Sequence, residues 1–266
     1  MSLLERAFHL AHHIFPEGGS CFEFGVFRGS SYAYQAEQIK KNYPSSSITG
    51  FDSWQGLPEE TEGVWIPERH AKGEYAAPKD EVLRKLELIG VTPDSKQFRL
   101  VDGFYSESLT PSLRGTFDSL IFVNIDVDIY SSTIELLDFI EPMLRPGVVL
   151  YWDDWRDPRD EHEGTWGEHK AWDDWTQSRK NLETINIGSN SANQQVMVVT
   201  AVQGEKDRMS DAEIKDIHDR FKKFDTNPPE LRKLPKSEAR ILSLKQNISA
   251  IPIIGSVAKA IYRAIR

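Results

Sequence analysis

The 266-residue chain has the composition of a soluble globular protein, with 39% hydrophobic and 27% charged residues. A net charge of −9 argues against nucleic acid as the main partner. The single cysteine, Cys21, excludes an internal disulfide framework and fits a reducing cytoplasm. We expect no cleavable signal sequence and no membrane-spanning segment, because charged residues interrupt the apolar runs. The length suits one large domain, or one domain with appendages.

The first predicted element is an amphipathic helix that ends near Pro16. Apolar side chains recur along one of its faces at helical spacing. Three histidines lie within it without an acidic or cysteine partner beside them, so we interpret them as packing or surface residues rather than metal ligands. They are His9, His12 and His13.

A glycine-bearing turn follows the first predicted strand. Residues 21–31 indicate a short strand, a turn with Gly25 and Gly29, and the start of a helix over 31–41. Glycine at such a turn lets the backbone approach a ligand closely, and the helix directs free N–H groups towards an anionic group. The spacing is E-x-G-x-x-x-G rather than the G-x-G-x-x-G of dinucleotide enzymes, so it is weak evidence by itself.

The second predicted strand, 47–51, ends at Asp52. An α/β nucleoside site places an acid at about this position, where it accepts hydrogen bonds from the ribose hydroxyls. A turn-forming aspartate is the alternative interpretation. The upstream acid and glycines at this interval favour the ribose role.

A long polar connection, 57–78, follows and contains Trp65, His70 and Tyr75. Long connections without regular structure inside compact domains are commonly lids or binding loops. The aromatic content favours a lid over a disordered surface excursion. The next pattern predicts a helix over 79–89, where apolar residues recur at helical spacing.

A third predicted strand, 97–101, closes at Asp102, Gly103 and Phe104. In a nucleoside-binding unit of this kind, the turn after the third strand lies beside the base. We therefore expect the base of a bound nucleoside at this turn.

Two pairs of aspartates follow two apolar strands, 120–125 and 148–152, which flank a predicted helix over 131–144. The acids are Asp126 and Asp128 after the first strand, and Asp153 and Asp154 after the second. Ligands bind outside the carboxyl ends of parallel strands, so the four acids should lie together. Clustered carboxylates repel one another, and a divalent cation bound through oxygen is the simplest partner. The alternative is that the acids only cap the following helix or turn.

The remaining part of the predicted sheet is a terminal strand pair, 182–187 and 195–201, preceded by a helix over 166–178. Two histidines near that helix, His162 and His169, could reach the site. Solvation is the neutral expectation for each of them.

The carboxyl-terminal tail is basic. From Leu231 onward, eight basic residues face one acid, Glu238, and residues 252–265 place apolar side chains on one helical face. We interpret this helix as docking on its own domain or on a dimer partner, with an interfacial membrane helix as the alternative. We therefore expect a homo-oligomer and leave peripheral membrane contact open.

Taken in order, these motifs resemble the macrocin O-methyltransferase (TylF-type) family of class I S-adenosylmethionine-dependent enzymes. The segments that carry the resemblance are E-F-G-V-F-R-G-S-S, F-D-S-W-Q-G-L-P, K-G-E-Y, D-G-F-Y-S-E-S-L, I-D-V-D-I-Y-S-S-T and P-G-V-V-L-Y-W-D-D-W, over roughly residues 20–200. The resemblance implies a Rossmann-like α/β fold with a mostly parallel seven-stranded sheet, helices on both faces and an antiparallel terminal strand. The expected domains are a methyltransferase domain, 1–204, and a helical extension, 205–266.

The resemblance also implies roles for individual residues. Mg²⁺ would bind Asp126, Asp153 and Asp154, and Asp128 would be the general base. The implied donor-binding residues are Glu23, Gly25, Phe27, Gly29, Ser30, Ser31, Asp52, Ser53, Asp102, Gly103 and Asp126. The acceptor would be a hydroxyl on a sugar of a glycosylated natural product or on a saccharide. Trp152 and Trp155 beside the D-D pair depart from the family pattern and leave the acceptor open.

Two other functions fit part of the pattern. A D-x-D after an apolar strand also suits a metal-dependent glycosyltransferase that holds a nucleotide sugar. The early strand–turn–helix followed by Asp52 argues against it, because that arrangement fits a nucleoside at the first two strands. A non-catalytic binding protein of the same fold is disfavoured by the four intact acids.

Overall fold

The computed structural model describes residues 1–93, 95–156, 162, 164–190 and 193–226. The basic tail and its predicted helix over 252–265 lie outside these residues. Among the residues described, no helix is long and apolar enough to cross a membrane.

Seven strands form one sheet. They are β1 (Ser20–Phe24), β2 (Ser47–Asp52), β3 (Phe98–Asp102), β4 (Leu120–Ile125), β5 (Val149–Trp152), β6 (Glu183–Ser189) and β7 (Gln195–Ala201). Their spatial order is β3-β2-β1-β4-β5-β7-β6. The first five strands are parallel, and β7 runs antiparallel to both of its neighbours. The predicted Rossmann-like fold class is confirmed, including the antiparallel strand near the edge.

Helices pack on both faces of the sheet. They are α1 (Leu3–Ile14), α2 (Ser30–Asn42), α3 (Lys79–Leu88), α4 (Tyr105–Ser108), α5 (Pro111–Arg114), α6 (Tyr130–Ile140), α7 (Gly167–Gln177) and α8 (Asp211–Thr226). The regular part of the helix predicted over 131–144 ends early, as the proline at position 142 allows. It ends at Ile140 and continues as a 3₁₀ turn, Glu141–Met143, because Pro142 has no N–H to donate along an α-helix.

The core consists of two hydrophobic clusters, one on each face of the sheet. Neighbouring side chains of a strand point to opposite faces, so Tyr151 belongs to one cluster and Trp152 to the other. The central strands β1, β4 and β5 are buried along their whole length. Full burial explains why their sequences are nearly continuous apolar runs rather than alternating patterns.

The histidines of α1 are structural, as predicted for packing residues. His9 is hydrogen-bonded to the hydroxyls of Tyr43 at 2.6 Å and Tyr34 at 3.0 Å, and His12 to the Ser46 hydroxyl at 3.0 Å. Burial lowers the pKa of both imidazoles to about 4. These rings are therefore neutral packing groups at neutral pH.

The first part of the predicted extension, α8, packs against α1. Arg6 forms an ion pair with Asp225 at 2.7 Å, and Phe221 is buried under the guanidinium of the same arginine. Phe221 also packs against Gly188 of β6, where a β-carbon would approach its ring to 2.4 Å.

Candidate active site

A cavity of about 470 Å³ opens at the carboxyl ends of the central strands. Its wall includes Gly25 after β1, Asp52 at the end of β2, Asp126 after β4 and Asp153 after β5. The connection 57–78 supplies one side of the wall. A volume in this range suits a small-molecule or cofactor site, and parallel α/β sheets bind ligands at this edge.

Nine of the predicted site residues line this cavity. They are Gly25, Phe27, Asp52, Ser53, Gly103, Asp126, Asp128, Asp153 and Asp154. The other five predicted residues are not part of its wall: Glu23, Gly29, Ser30, Ser31 and Asp102. The donor contacts of all these residues stay predictions.

Gly25 allows the backbone after β1 to lie close to the backbone after the neighbouring strand β4. Its φ is +83°, and its N–H donates to the Phe51 carbonyl at 3.0 Å. A β-carbon here would lie 1.7 Å from the carbonyl oxygen of Asp126. No other residue type fits this position without a shift of the backbone.

The Asp52 carboxylate is held by backbone amides at the end of β2. One oxygen accepts from the Phe27 N–H and the other from the Trp54 N–H, both at 2.7 Å. Burial raises the pKa of Asp52, and these N–H donors oppose the rise. Each oxygen retains a second lone pair, so the group can still accept hydrogen bonds from a diol.

Glu23 lies beneath the turn rather than at the cavity. It is 0% exposed and accepts from the Ser31 hydroxyl at 2.7 Å and from the Gln35 amide. Burial raises the pKa of Glu23 to about 8. These contacts tie β1 to the first turns of α2.

Gly29, Ser30 and Asp102, which do not line the cavity, also have protein partners. A β-carbon on Gly29 would approach Val82 of α3 to 2.8 Å, so close helix packing requires this glycine. The Ser30 hydroxyl is hydrogen-bonded to Lys85 at 2.8 Å. Asp102 accepts from Lys79 at 2.6 Å, and also from the indole N–H of Trp54.

Three of the four predicted acids form a candidate cation site. Asp126, Asp153 and Asp154 each present one carboxylate oxygen, and the three oxygens lie within 4.8 Å of one another. Burial, then the charges of Asp153 and Asp154, raise the pKa of Asp126 well above its ordinary value. A group of carboxylate oxygens this close fits a hard divalent cation, which removes the repulsion among them.

Hydrogen bonds orient the Asp153 carboxylate. Its Oδ1 accepts from the Tyr151 hydroxyl and from the Gln194 amide, both at 2.7 Å. Tyr151 belongs to β5, and Gln194 precedes β7. Partners of this kind hold a metal-ligating carboxylate in one rotamer.

The fourth acid, Asp128, is paired with a histidine from the connection 57–78. Nε2 of His70 lies 2.9 Å from Oδ1 of Asp128. In the tautomer with hydrogen on Nε2, the imidazole donates to this carboxyl oxygen. His70 is 4% exposed, and its Nδ1 has no hydrogen-bond partner among the described residues. The sequence marked His70 only as one of three aromatic residues in a lid.

Glu168 is a second residue whose role the sequence did not reveal. It is 0% exposed, and its two oxygens accept from the Val127 N–H at 3.1 Å and the Asp154 N–H at 3.2 Å. One carboxylate therefore connects the loop that carries Asp126 and Asp128 to the loop that carries Asp154. Burial raises the pKa of Glu168 well above its ordinary value.

Strained backbone is concentrated around the cavity. Among the described residues, five that are not glycine have positive φ: Phe27, Trp54, Tyr75, Asp128 and Asn193. All of these except Trp54 line the cavity. Strain of about 1–3 kcal/mol per residue persists only where surrounding contacts over-determine the conformation, and such residues cluster at functional sites.

The connection 57–78 is anchored on both sides of the cavity. Its base closes through two backbone hydrogen bonds of 2.9 Å, Leu57 N–H to the Glu74 carbonyl and Gly73 N–H to the Leu57 carbonyl. Further out, Glu60 accepts from the Ser131 N–H at the start of α6, at 3.0 Å. The contact between His70 and Asp128 is a third anchor.

His162 and His169, the two histidines near α7, do not line the cavity. His162 is exposed and packs on the Trp65 ring at 4.1 Å. His169 is half-buried, stacks on Trp155 at 4.4 Å and lies 3.5 Å from Asp173. The solvated environment expected for His162 is therefore observed, whereas His169 is partly covered by Trp155.

A family model described as "Methyltransferase domain" matches residues 22–155, which is half of the chain. A curated relative from Streptomyces olivaceus is 26% identical over 160 residues, 56% of this chain and 59% of the relative. That relative is 8-demethyl-8-(2,3-dimethoxy-α-L-rhamnosyl)-tetracenomycin-C 4'-O-methyltransferase. The chain thus matches less than two thirds of the relative's length.

Two solved structures share the fold. The O-methyltransferase NovP superposes with a TM-score of 0.57 at 19% identity, over 73% of this chain and 78% of NovP. The calicheamicin methyltransferase CalS11 superposes with a TM-score of 0.56 at 20% identity, over 73% and 77% of the two chains. At these identities, the two structures bear on the fold alone.

Proposed function

We propose that this chain, which belongs to the methyltransferase domain family, transfers a methyl group from S-adenosylmethionine to a sugar hydroxyl. The observation that carries the proposal is one cavity that joins Asp52, at the end of β2, to the four acids after β4 and β5. The first part suits a nucleoside, and the second suits a cation and a hydroxyl that loses its proton.

The acceptor class is supported by the tetracenomycin relative, whose name describes methylation of a rhamnosyl compound. We propose a sugar of a glycosylated natural product as the acceptor. A neutral sugar presents several hydroxyls of similar acidity, so selection among them depends on how the cavity holds the ring.

The donor would lie along the first two strands. Asp52 would accept hydrogen bonds from the ribose hydroxyls, and the turn at Gly25 would allow the methionine part to approach the backbone closely. In the reaction, the acceptor oxygen forms a bond to the methyl carbon as the bond from carbon to sulfur breaks. The electron pair of that bond stays on sulfur, which becomes a neutral thioether.

The cation site would be Asp126, Asp153 and Asp154. When bound there, Mg²⁺ lowers the pKa of a hydroxyl and positions it, the Lewis-acid and template roles of a catalytic metal. Tyr151 and Gln194 hold the Asp153 carboxylate in place for this role. Glu168 holds the backbone of both acid-bearing loops.

Asp128 would take the proton from the acceptor hydroxyl. His70 contacts its Oδ1, and the same carboxyl also forms a hydrogen bond with Asp154. Removal of a positioned general base typically costs about 10²-fold or more in rate. We therefore expect Asp128→Asn to reduce turnover by at least ~10²-fold with unchanged affinity for S-adenosylhomocysteine.

The first test is calorimetry with S-adenosylhomocysteine and, separately, with UDP. Binding of the first and not the second is expected, and the reverse result would favour a glycosyltransferase. The second test is methyl transfer to 4-nitrophenyl α-L-rhamnopyranoside with Mg²⁺ or with chelator. Full activity in excess chelator would refute the metal site. Donor binding without methyl transfer to this glycoside or to a wider glycan panel would favour a non-catalytic protein.

A further inference from the structure

A connected series of aromatic rings runs outward from the proposed general base. The His70 ring, which contacts Asp128, lies 5.0 Å from the Trp166 ring. Trp166 in turn lies 6.0 Å from Trp65, in an edge-to-face arrangement. These spacings are those of aromatic rings in contact. The series links His70 and Trp166, which line the cavity, to Trp65, which lies outside its wall.

The outermost ring of this series is largely open to solvent. Trp65 is 44% exposed, although the His162 ring covers part of it at 4.1 Å. Tyr75 and Phe27 are also exposed and pack edge-to-face at 6.1 Å beside the same cavity. Besides Met1, these three are the exposed large hydrophobic residues of the described chain. Phe27 and Tyr75 line the cavity, and Trp65 contacts Trp166 of its wall. Exposed large apolar side chains that lie at or next to one cavity mark a surface suited to ligand contact.

We propose that Trp65 and Trp166 form a subsite for a flat aromatic aglycone of the acceptor. The proposal rests on the proposed methyl transfer to a sugar. With the reacting hydroxyl at Asp128, the sugar ring lies beside His70, and the group attached to the sugar extends along the two tryptophans. An aromatic aglycone that stacks on Trp65 covers the part of this ring that is exposed to solvent.

The rings of the proposed subsite favour this occupant over the diphosphate of a nucleotide sugar. Arg69 and Arg156 line the cavity itself, whereas the proposed subsite consists of indole rings. The two side chains of the proposed subsite, Trp65 and Trp166, are uncharged rings. A diphosphate gains most from cations that converge on it and little from indole faces.

The test compares two acceptors that differ only in the aglycone, 4-nitrophenyl and methyl α-L-rhamnopyranoside. With wild type, we expect kcat/KM to be about tenfold higher for the nitrophenyl glycoside, which corresponds to one good aromatic stacking contact. Trp65→Ala should bring the ratio close to one while the rate with the methyl glycoside changes little. Trp65→Phe should keep most of the preference. Glu59→Ala, an exposed and ring-free change in the same loop, is the matched control and should leave the ratio unchanged.

Three outcomes would overturn the subsite. They are equal kcat/KM for the two glycosides, a preference that survives Trp65→Ala, or a higher kcat/KM for dTDP-L-rhamnose than for the nitrophenyl glycoside. If neither rhamnoside nor dTDP-L-rhamnose is methylated, the proposed methyl transfer to these sugars is refuted. The subsite can then still be tested by binding. Calorimetry of 4-nitrophenyl rhamnoside with the S-adenosylhomocysteine complex should then show binding that Trp65→Ala weakens. Absence of that binding would overturn the subsite.

Discussion

Replacement of Glu23 by glutamine tests whether burial raises the pKa of this carboxyl, which lies beneath the first glycine turn. Burial raises the pKa of this carboxyl from 4.5 to about 8, although Ser31 and Gln35 donate hydrogen bonds to it. In the unfolded chain, the same group ionises near its ordinary value. Between the two pKa values the folded protein keeps a proton that the unfolded chain has released, so this group makes the free energy of unfolding fall as pH rises.

The magnitude follows from the distance between the two pKa values. Each pH unit within the window changes the free energy of unfolding by about 1.4 kcal/mol, and the whole window by at most about 5 kcal/mol. The stability from protonated Glu23 is fully present below pH 4.5 and is lost as pH rises through about 8. Glutamine has nearly the same shape and does not titrate. Its oxygen can accept from Gln35, and its amide can donate to the Ser31 hydroxyl.

The assay is urea unfolding of wild type and Glu23→Gln across this pH window, at constant ionic strength and with chelator. The informative quantity is the difference in free energy of unfolding, because the other buried carboxyls are common to both proteins and cancel. The difference should move in favour of the variant by about 1.4 kcal/mol per pH unit. Glu87→Gln, an exposed change on α3, is the matched control, and its difference should stay flat.

A flat difference for Glu23→Gln would refute the reasoning, since it would mean that Glu23 ionises equally easily in the folded and unfolded states. A large loss that does not vary with pH would also contradict it, because the amide would then have broken the contacts with Ser31 and Gln35. Titration of the same variant with S-adenosylhomocysteine tests the predicted donor contact separately. We expect little change in donor affinity, because neither carboxylate oxygen reaches the cavity.

Three further predictions follow from the contacts around the acids. Glu168→Gln should weaken Mn²⁺ binding by about 10–100-fold, the usual effect of losing a partner that orients metal ligands, and unchanged affinity by calorimetry would contradict its role. His70→Gln keeps an N–H group that can donate to Asp128 and should retain most turnover with 4-nitrophenyl rhamnoside. His70→Phe should lower kcat by about tenfold or more without weakening the binding of S-adenosylhomocysteine. Equal kcat values for the two variants would refute this role of His70. Gly25→Ala should cost about 3 kcal/mol or more in urea unfolding, because strain at positive φ adds to a clash. Gly63→Ala, also at positive φ but with nothing near its β-carbon, isolates the strain, and equal losses would rule out the clash.

The strands and the acids at their ends could be predicted because the signals are local. A strand buried on both faces, such as β4 or β5, is a short apolar run in the sequence. Where a ligand site lies at the carboxyl end of such a strand, the residue that directly follows the run is polar. The parallel order then brings the two aspartate pairs together, as observed for Asp126, Asp153 and Asp154. No long-range information beyond the alternation of strands and helices is needed for that step.

The roles of His70 and Glu168 could not be predicted from the sequence in the same way. They depend on the positions that the connection 57–78 and the first turn of α7 take in the folded protein. Glu168 lies in a polar sequence that reads as a solvated helix face, yet it is 0% exposed. Its burial requires Gly167 at a φ of +64°, where a β-carbon would come 2.7 Å from the Asp128 carbonyl. His70 reaches Asp128 only because the connection 57–78 closes on itself at Leu57. Neither contact has a spacing that the sequence alone could show.

The tryptophans beside the D-D pair bear on the shape of the site rather than on the choice of acceptor. Trp152 is fully buried, with its ring 5.1 Å from Trp155 and 5.3 Å from Trp172 of α7. Neither Trp152 nor Trp155 belongs to the described cavity wall. Their bulk fixes α7, and therefore Glu168, against the loop that carries Asp154. Trp65 does not line the cavity either, but its ring contacts Trp166, which does. If Trp65 and Trp166 form the proposed subsite, substitutions at Trp65 should alter acceptor choice, whereas substitutions at Trp152 should alter metal affinity and stability.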